Sequence, residues 1–199
     1  IRHSTSSFEF LSTSPVTDPF SNAPSDWQST RRIVYHPGPE SFLAIAGNPR
    51  MQTTLILIKP DAVQRGLVGE IISRFERKGL QLVGTKLVAV SEDVASEHYA
   101  EHKDKPFFPD LIGFITSTPV LALALRGRDA IAVCRKLVGA TDGTQADPGT
   151  IRGDFGLSKS LNMVHASDSP ESAERELKLW FGEGELVEYT RSSDAWING

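Results

Sequence analysis

Apolar positions along the chain fall into short runs separated by segments with helical spacing. Thr53 to Ile58 (TTLILI) is a continuous apolar and β-branched run, which predicts a buried strand ending at Lys59, Pro60 and Asp61. Val68, Ile71, Ile72 and Phe75 then recur at helical spacing, and Gly79 after Arg77 and Lys78 predicts a C-terminal cap. A second strand is expected within Leu80 to Val90, followed by a helix with Ser91 as its N-cap and Val94, Ala95, His98 and Tyr99 along it. The segment PFFP, Pro106 to Pro109, interrupts that helix, and Leu111 to Ile115 predicts another short one. Val120 to Leu125 reads as a third strand and Asp129 to Val138 as a helix with Ile131, Val133, Cys134 and Leu137 inward and Arg135 on its polar side. Met163 and Val164 make a fourth short strand ending at His165. Asp168 or Ser169 caps the next helix, with Pro170 in its first turn and Ala173, Leu177, Trp180 and Phe181 as its apolar stripe.

This order predicts an α+β fold, a ferredoxin-like βαββαβ sandwich: one four-stranded antiparallel sheet with helices on one face. Gly139 to Phe155 is too long and too rich in Gly, Asp and Thr for an ordinary connection, so it is either disordered or an extended active-site loop. Leu186 to Gly199 reads as an arm closing the surface.

Composition narrows the picture. The 199 residues divide into an N-terminal segment, 1–50, rich in Ser, Thr and Pro without sustained periodicity, and one domain over 51–199. The first segment is expected to be a disordered extension. A transit peptide is opposed by Glu9, Asp18, Asp26 and Glu40, and a signal peptide by the shortness and internal position of Phe42 to Ala46. Met51, directly before the first strand, is the expected start of translation. A formal charge of −4 leaves no general basic field for nucleic acid, although a local basic pocket for a phosphorylated small molecule remains open. A single cysteine, Cys134, excludes an internal disulfide, and no run approaches the roughly 20 apolar residues that span a membrane.

The candidate chemistry centres on His165, a histidine held by a rigid element, whose neutral imidazole carries one free lone pair and can act as a nucleophile. Glu176, one step off its helix's apolar stripe, could reach back and orient that ring. Polar residues interrupting apolar elements are Lys59, Tyr99, Arg135, Thr141, Arg152, Asn162 and His165, with three permanent cations among them. Such a set suits a polyphosphate: arginine presents a planar fork, lysine a point charge, and Thr, Tyr and Asn neutral donors. Of Phe107 and Phe108 one is expected in the core and the other in a cleft. His98 and His102, four residues apart, are read as a solvated helix face rather than a metal site, since no third ligand is evident. Neither a P-loop nor a Gly-rich dinucleotide fingerprint occurs.

The stretches LILIKPDAVQRGLVGEII, RFERKG, KDKPFF, PGTIRGDF, NMVHASDS and SDSPESAERE, with Trp196 and Ile197, together resemble nucleoside diphosphate kinase over Met51 to Gly199. The resemblance implies transfer of the γ-phosphoryl group of a nucleoside triphosphate to a diphosphate by a two-step exchange through phosphohistidine. It makes His165 the phosphorylated nucleophile, Glu176 its orienting carboxylate and Ser167 a supporting residue. Lys59, Tyr99, Arg135, Thr141, Arg152 and Asn162 then hold phosphates or ribose, Lys59 also acting in catalysis, and Phe107 stacks on the base. It implies no metal ligand from the protein but Mg²⁺ carried by the nucleotide phosphates. It further implies a hexamer or tetramer and a cytoplasmic enzyme without a membrane partner or a specific nucleic acid. Lys159, Ser160, Leu161 and the Thr141, Asp142, Gly143 sequence depart from the usual family pattern, at the base wall and in the loop used for subunit contacts. The competing readings are a non-catalytic nucleotide-binding module on the same fold and a single-stranded nucleic-acid binder. The second is opposed by the net charge and by the lack of an aromatic RNA-binding strand.

Overall fold

The computed structural model describes residues 51–198; the expectations for the N-terminal segment lie outside them. Strand β1 (Met51–Ile58) occupies the middle of the sheet, paired antiparallel with β3 (Val120–Arg128) on one side and β4 (Val164–Ala166) on the other. Strand β2 (Gln81–Val88) pairs antiparallel with β3, so the order is β2-β3-β1-β4. This is the expected four-stranded antiparallel, ferredoxin-like arrangement.

The helices, expected on one face, cover both. Successive residues of β1 point to opposite sides, and all of Thr54 to Ile58 is buried. Ile56 and Ile58 join a core with α1 (Pro60–Gln64), α2 (Val68–Arg77) and α5 (Ala130–Val138), through Ala62, Ile71, Phe75 and Cys134. Leu55 and Leu57 join a second core with α3 (Glu92–His98), α4 (Phe108–Thr116) and α7 (Pro170–Trp180), through Ala95, Tyr99, Ile115 and Trp180. An uninterrupted apolar run is what a strand buried on both faces requires.

Local signals act where expected. The Ser91 hydroxyl accepts from Val94 N–H at 3.3 Å to start α3. Ser169 and Ser172 form a reciprocal capping box at α7, with Pro170 in its first turn. Gly79 takes a positive φ of 99° after α2, a conformation that costs glycine no steric penalty. The long Gly139 to Phe155 segment is ordered, containing a 3-10 turn (Gly143–Gln145) and α6 (Ile151–Phe155). Thr150 caps α6 by accepting from Gly153 N–H at 3.0 Å. The C-terminal arm lies along the edge of β2. Val187 N–H donates to Val83 O, Tyr189 Oη to Leu82 O, and Arg191 to both Gly79 O and Leu80 O, before α8 (Asp194–Asn198). This arm blunts an edge that would otherwise present unpaired backbone groups.

Candidate active site

Three chain segments meet where β1 ends and β4 begins. Lys59 leaves β1 with its side chain buried at 6 % exposure, and its Nζ donates to Asn162 Oδ1 at 2.6 Å. The backbone adds a second tie, Lys59 N–H to Met163 O at 2.8 Å. Burial, with the nearby Arg152 charge, lowers the Lys59 pKa to about 8, while Asp61 opposes the shift.

His165 sits in the centre of β4, opposite Leu57. Its Nε2 lies 3.0 Å from Glu176 Oε2, and the Ser167 hydroxyl donates to the same carboxylate oxygen at 2.7 Å. Ser167 is itself fixed, because its Oγ accepts from Leu55 N–H at 3.2 Å. Glu176, expected at the edge of its helix stripe, is buried with 4 % exposure. A carboxylate accepts only, so Nε2 carries the proton and Nδ1 keeps the lone pair.

Arg152 has a dual position. Its guanidinium is near the cluster but donates to three backbone carbonyls: Asn162 at 3.1 Å, Gly139 at 3.1 Å and Val164 at 2.6 Å. It thus pins the loop to the strand that carries His165 and leaves two of its five N–H groups for a ligand. Burial, with the like charge of Arg135, lowers its pKa to about 10. Arg135 is exposed on α5, and one guanidinium nitrogen lies 3.4 Å from Ala166 O, next to His165. Thr141 is exposed at the start of the loop. Tyr99 is buried, with no hydrogen-bond partner for its hydroxyl among the described residues, and burial pushes its pKa up. Phe108 packs into the second core, whereas Phe107 is 51 % exposed and tilted against His102, with ring centroids 5.7 Å apart.

One departure from the expected picture concerns His98. His98, read as part of a solvated face with His102, is buried at 3 % exposure. The helix stops at His98 and a 3-10 turn (Ala100–His102) carries His102 away, so the two no longer share a face. The His98 ring instead meets His165 edge-on, centroids 4.5 Å apart. One ligand atom each from His98, His165 and Glu176 lie within 4.8 Å of one another. However, Trp180 Nε1–H donates to His98 Nδ1 at 3.2 Å, and indole is a donor only, so a neutral His98 bears its proton on Nε2. That nitrogen therefore offers no lone pair to an ion. Burial and the neighbouring His165 push the His98 pKa down to about 2, so the ring is neutral at all ordinary pH. In the loop, an added Cβ at Gly143 would lie 2.5 Å from Gly156 O. The loop uses that close approach to fold back on the segment leading to Asn162.

The cluster therefore joins one lone-pair nitrogen, a fixed carboxylate partner, and Lys59 and Arg152 as buried cations. His98, Trp180 and Asp61 were not among the expected site residues; only the last, directly after Pro60 at a strand exit, carries a local signal.

The family model for nucleoside diphosphate kinase matches residues 52–186. The nucleoside diphosphate kinase of Synechococcus sp. (strain JA-3-3Ab) is 57 % identical over 147 residues, 74 % of this chain and 99 % of that protein. The nucleoside diphosphate kinase of Symbiobacterium thermophilum is 58 % identical over 147 residues, 74 % of this chain and 97 % of that protein. Among solved structures, a nucleoside diphosphate kinase family protein from Babesia bovis matches with a TM-score of 0.72 at 51 % identity, covering 73 % of this chain and 99 % of that one. The halophilic nucleoside diphosphate kinase of Halobacterium salinarum, solved in complex with CDP, matches with a TM-score of 0.72 at 49 % identity, covering 73 % of this chain and 97 % of that one. With these matches and the expected fold, the chain belongs to the nucleoside diphosphate kinase family.

Proposed function

We propose that this chain transfers the γ-phosphoryl group of a nucleoside triphosphate, typically ATP, to a nucleoside diphosphate through a phosphohistidine on His165, so maintaining nucleoside triphosphate pools. The observation that carries this reading is the Glu176 contact to His165 Nε2, which leaves Nδ1 as the free nucleophile. In the first step the Nδ1 lone pair forms a bond to the γ-phosphorus as the bond to the β–γ bridging oxygen breaks, and the nucleoside diphosphate leaves with that electron pair. In the second, a terminal oxygen of the incoming diphosphate attacks the same phosphorus and the bond to Nδ1 breaks, restoring the neutral ring. Positive charge developing on the imidazole faces the Glu176 carboxylate, which Ser167 holds in place.

Lys59 and the two remaining N–H groups of Arg152 supply charge to the transferring phosphoryl oxygens, Lys59 acting as catalytic residue and ligand alike. Tyr99, Arg135, Thr141 and Asn162 hold the remaining phosphates and the ribose. The unpartnered Tyr99 hydroxyl supports this for Tyr99. Phe107 presents an exposed ring for stacking on the base, which suits broad base tolerance because every base has a π face.

The donor set fits a divalent cation carried by the substrate. Glu176 is already engaged by Ser167 and His165, and the other expected ligands include the cations Lys59, Arg135 and Arg152, so a divalent ion would be held through the nucleotide phosphates. Mg²⁺ on the phosphates would neutralise their charge there, while Lys59 and Arg152 orient the transferring group.

The chain is expected to act as a hexamer or tetramer in the cytoplasm. No helix among the described residues is long and apolar enough to cross a membrane. Nothing in the site favours the alternative of a non-catalytic binding module. The test is transfer from ATP to GDP by the purified chain: GTP formation supports the enzyme, and nucleotide binding without transfer supports the module.

A further inference from the structure

Met163 stands between Asn162 and His165, and its backbone is in the left-handed region at φ 64°. Asp129 is the only other non-glycine residue among those described with a positive φ. For a side chain such as methionine this conformation is strained and persists only where surroundings impose it. Here they do so from both sides: Lys59 N–H donates to Met163 O at 2.8 Å, and Met163 N–H donates to Asp61 Oδ2 at 3.0 Å. Met163 itself is fully buried in the first core, so its side chain cannot swing out to relieve the turn.

The result is that the Lys59, Pro60, Asp61 corner grips the chain just before β4. That grip places the Asn162 side chain against Lys59 Nζ at 2.6 Å and sends His165 into the strand two residues later. The second carboxylate oxygen of Asp61, Oδ1, is buried and has no hydrogen-bond partner among the described residues. Leaving such an oxygen unpaired is costly unless nearby positive charge offsets it. The charged or titratable groups facing Lys59 are Asp61 from α1, Arg152 from α6 and His98 from α3; Arg152 in turn faces Arg135 from α5 and Tyr99. Among these the carboxylate is the one fixed anion beside two cations that must stay charged to receive phosphate.

We propose that Asp61 is a positioning residue of the phosphoryl-transfer site: one oxygen holds the left-handed backbone of Met163, and the carboxylate adds a negative charge to the corner that Lys59 shares, without an ion pair to Lys59 or Arg152 among the described residues. The proposal rests on the reading of His165 as nucleophile and deepens it. Asp61 touches neither substrate nor the reacting atoms, and acts through Met163 and Lys59. Burial pulls Lys59 toward neutrality and Asp61 opposes it, in agreement with the second role.

Two substitutions separate the roles. Asp61→Asn keeps an oxygen for Met163 N–H and removes the charge; Asp61→Ala removes both. In Asp61→Asn the basic limb of the pH profile of kcat/KM for ATP is expected to move down by about one unit, with the kcat plateau within about threefold of the parent. In Asp61→Ala the plateau itself is expected to fall at least about tenfold, and the Met163 amide, protected from hydrogen exchange in the parent and in Asp61→Asn, becomes exchangeable. A parent-like basic limb in Asp61→Asn overturns the electrostatic role. An Asp61→Ala plateau equal to that of Asp61→Asn, or an equally protected Met163 amide, overturns the positioning role. Should Asp61→Ala not fold, parent-like protection of the Met163 amide in Asp61→Asn and its pH limb decide the matter. Labelling the parent with γ-labelled ATP in parallel isolates the underlying reading: absence of label on His165 defeats that reading, while amide exchange still tests the hold on Met163.

Discussion

Glu176 faces His165 Nε2 across 3.0 Å and accepts the Ser167 hydroxyl on the same oxygen. This relationship leaves Nδ1 as the ring nitrogen with a free lone pair. Replacing Glu176 by glutamine keeps the shape but removes the charge, and the amide can present its NH₂ to Nε2 and turn the ring to the wrong tautomer. We expect kcat to fall by about tenfold to a hundredfold, in the range seen when orienting partners of a functional histidine are lost, with KM for the diphosphate nearly unchanged. Steady-state kinetics with both substrates varied check this.

Ser167→Ala removes the acceptor of Leu55 N–H in the central strand as well as the donor to Glu176. An unsatisfied buried amide costs about 1–3 kcal/mol, so denaturant unfolding should show a loss of stability of that order alongside reduced kcat. Retention of full stability would mean that another group, or water, takes over the Leu55 N–H.

Lys59 gives a pH dependence with a definite sign. Its pKa in the free protein is lowered to about 8, chiefly by burial. Phosphate oxygens favour its charged form, so bound nucleotide raises that pKa, and binding is at full strength below about pH 8 and weakens as pH rises from there toward the raised value. ATP affinity measured by calorimetry from pH 6.5 to 9.5 should decline on this alkaline side. In Lys59→Gln affinity should be lower throughout, with that part of the slope absent.

Trp180→Phe leaves His98 Nδ1 without its donor in a site where Nε2 is already unpaired. The expected cost is about 1–3 kcal/mol in thermal or denaturant unfolding. His98→Gln in that background has an amide that can adapt to the missing partner, and is predicted to recover part of the loss.

Gly143→Ala tests the loop. Its Cβ would meet the Gly156 carbonyl oxygen at 2.5 Å, closer than any relaxed contact, and the neighbour is backbone. Loss of stability, with faster proteolysis between Gly139 and Phe155, is expected from limited digestion followed by mass spectrometry.

Much of this arrangement is legible before any coordinates. The apolar run ending at Lys59, the histidine at the fourth strand and the cation set around them are local signals, and they converge because the antiparallel pairing of β1 with β4 sets Leu57 beside His165. The position of helices on both faces is also encoded, in the uninterrupted apolar run Leu55 to Ile58, since a strand covered on one face only would alternate. His98 was misread for a different reason. Four-residue spacing places two side chains on one helix face only while the helix continues, and here it ends at His98 itself. The hold of Asp61 on Met163 lies beyond local propensity, since nothing in a methionine foretells a positive φ. Arg152 shows the limit of residue-type reasoning: the charge suggests a phosphate ligand, but not that three of its donors also tie the loop at Gly139 to Asn162 and Val164.

The most direct test of the account is the covalent intermediate. Incubation with γ-labelled ATP should give one acid-labile, base-stable phosphoryl group per active subunit, located on His165 by peptide mapping, discharged by GDP to give labelled GTP, and absent from His165→Asn. Label in His165→Asn equal to that of the parent, or label confined to a residue other than His165, would contradict it.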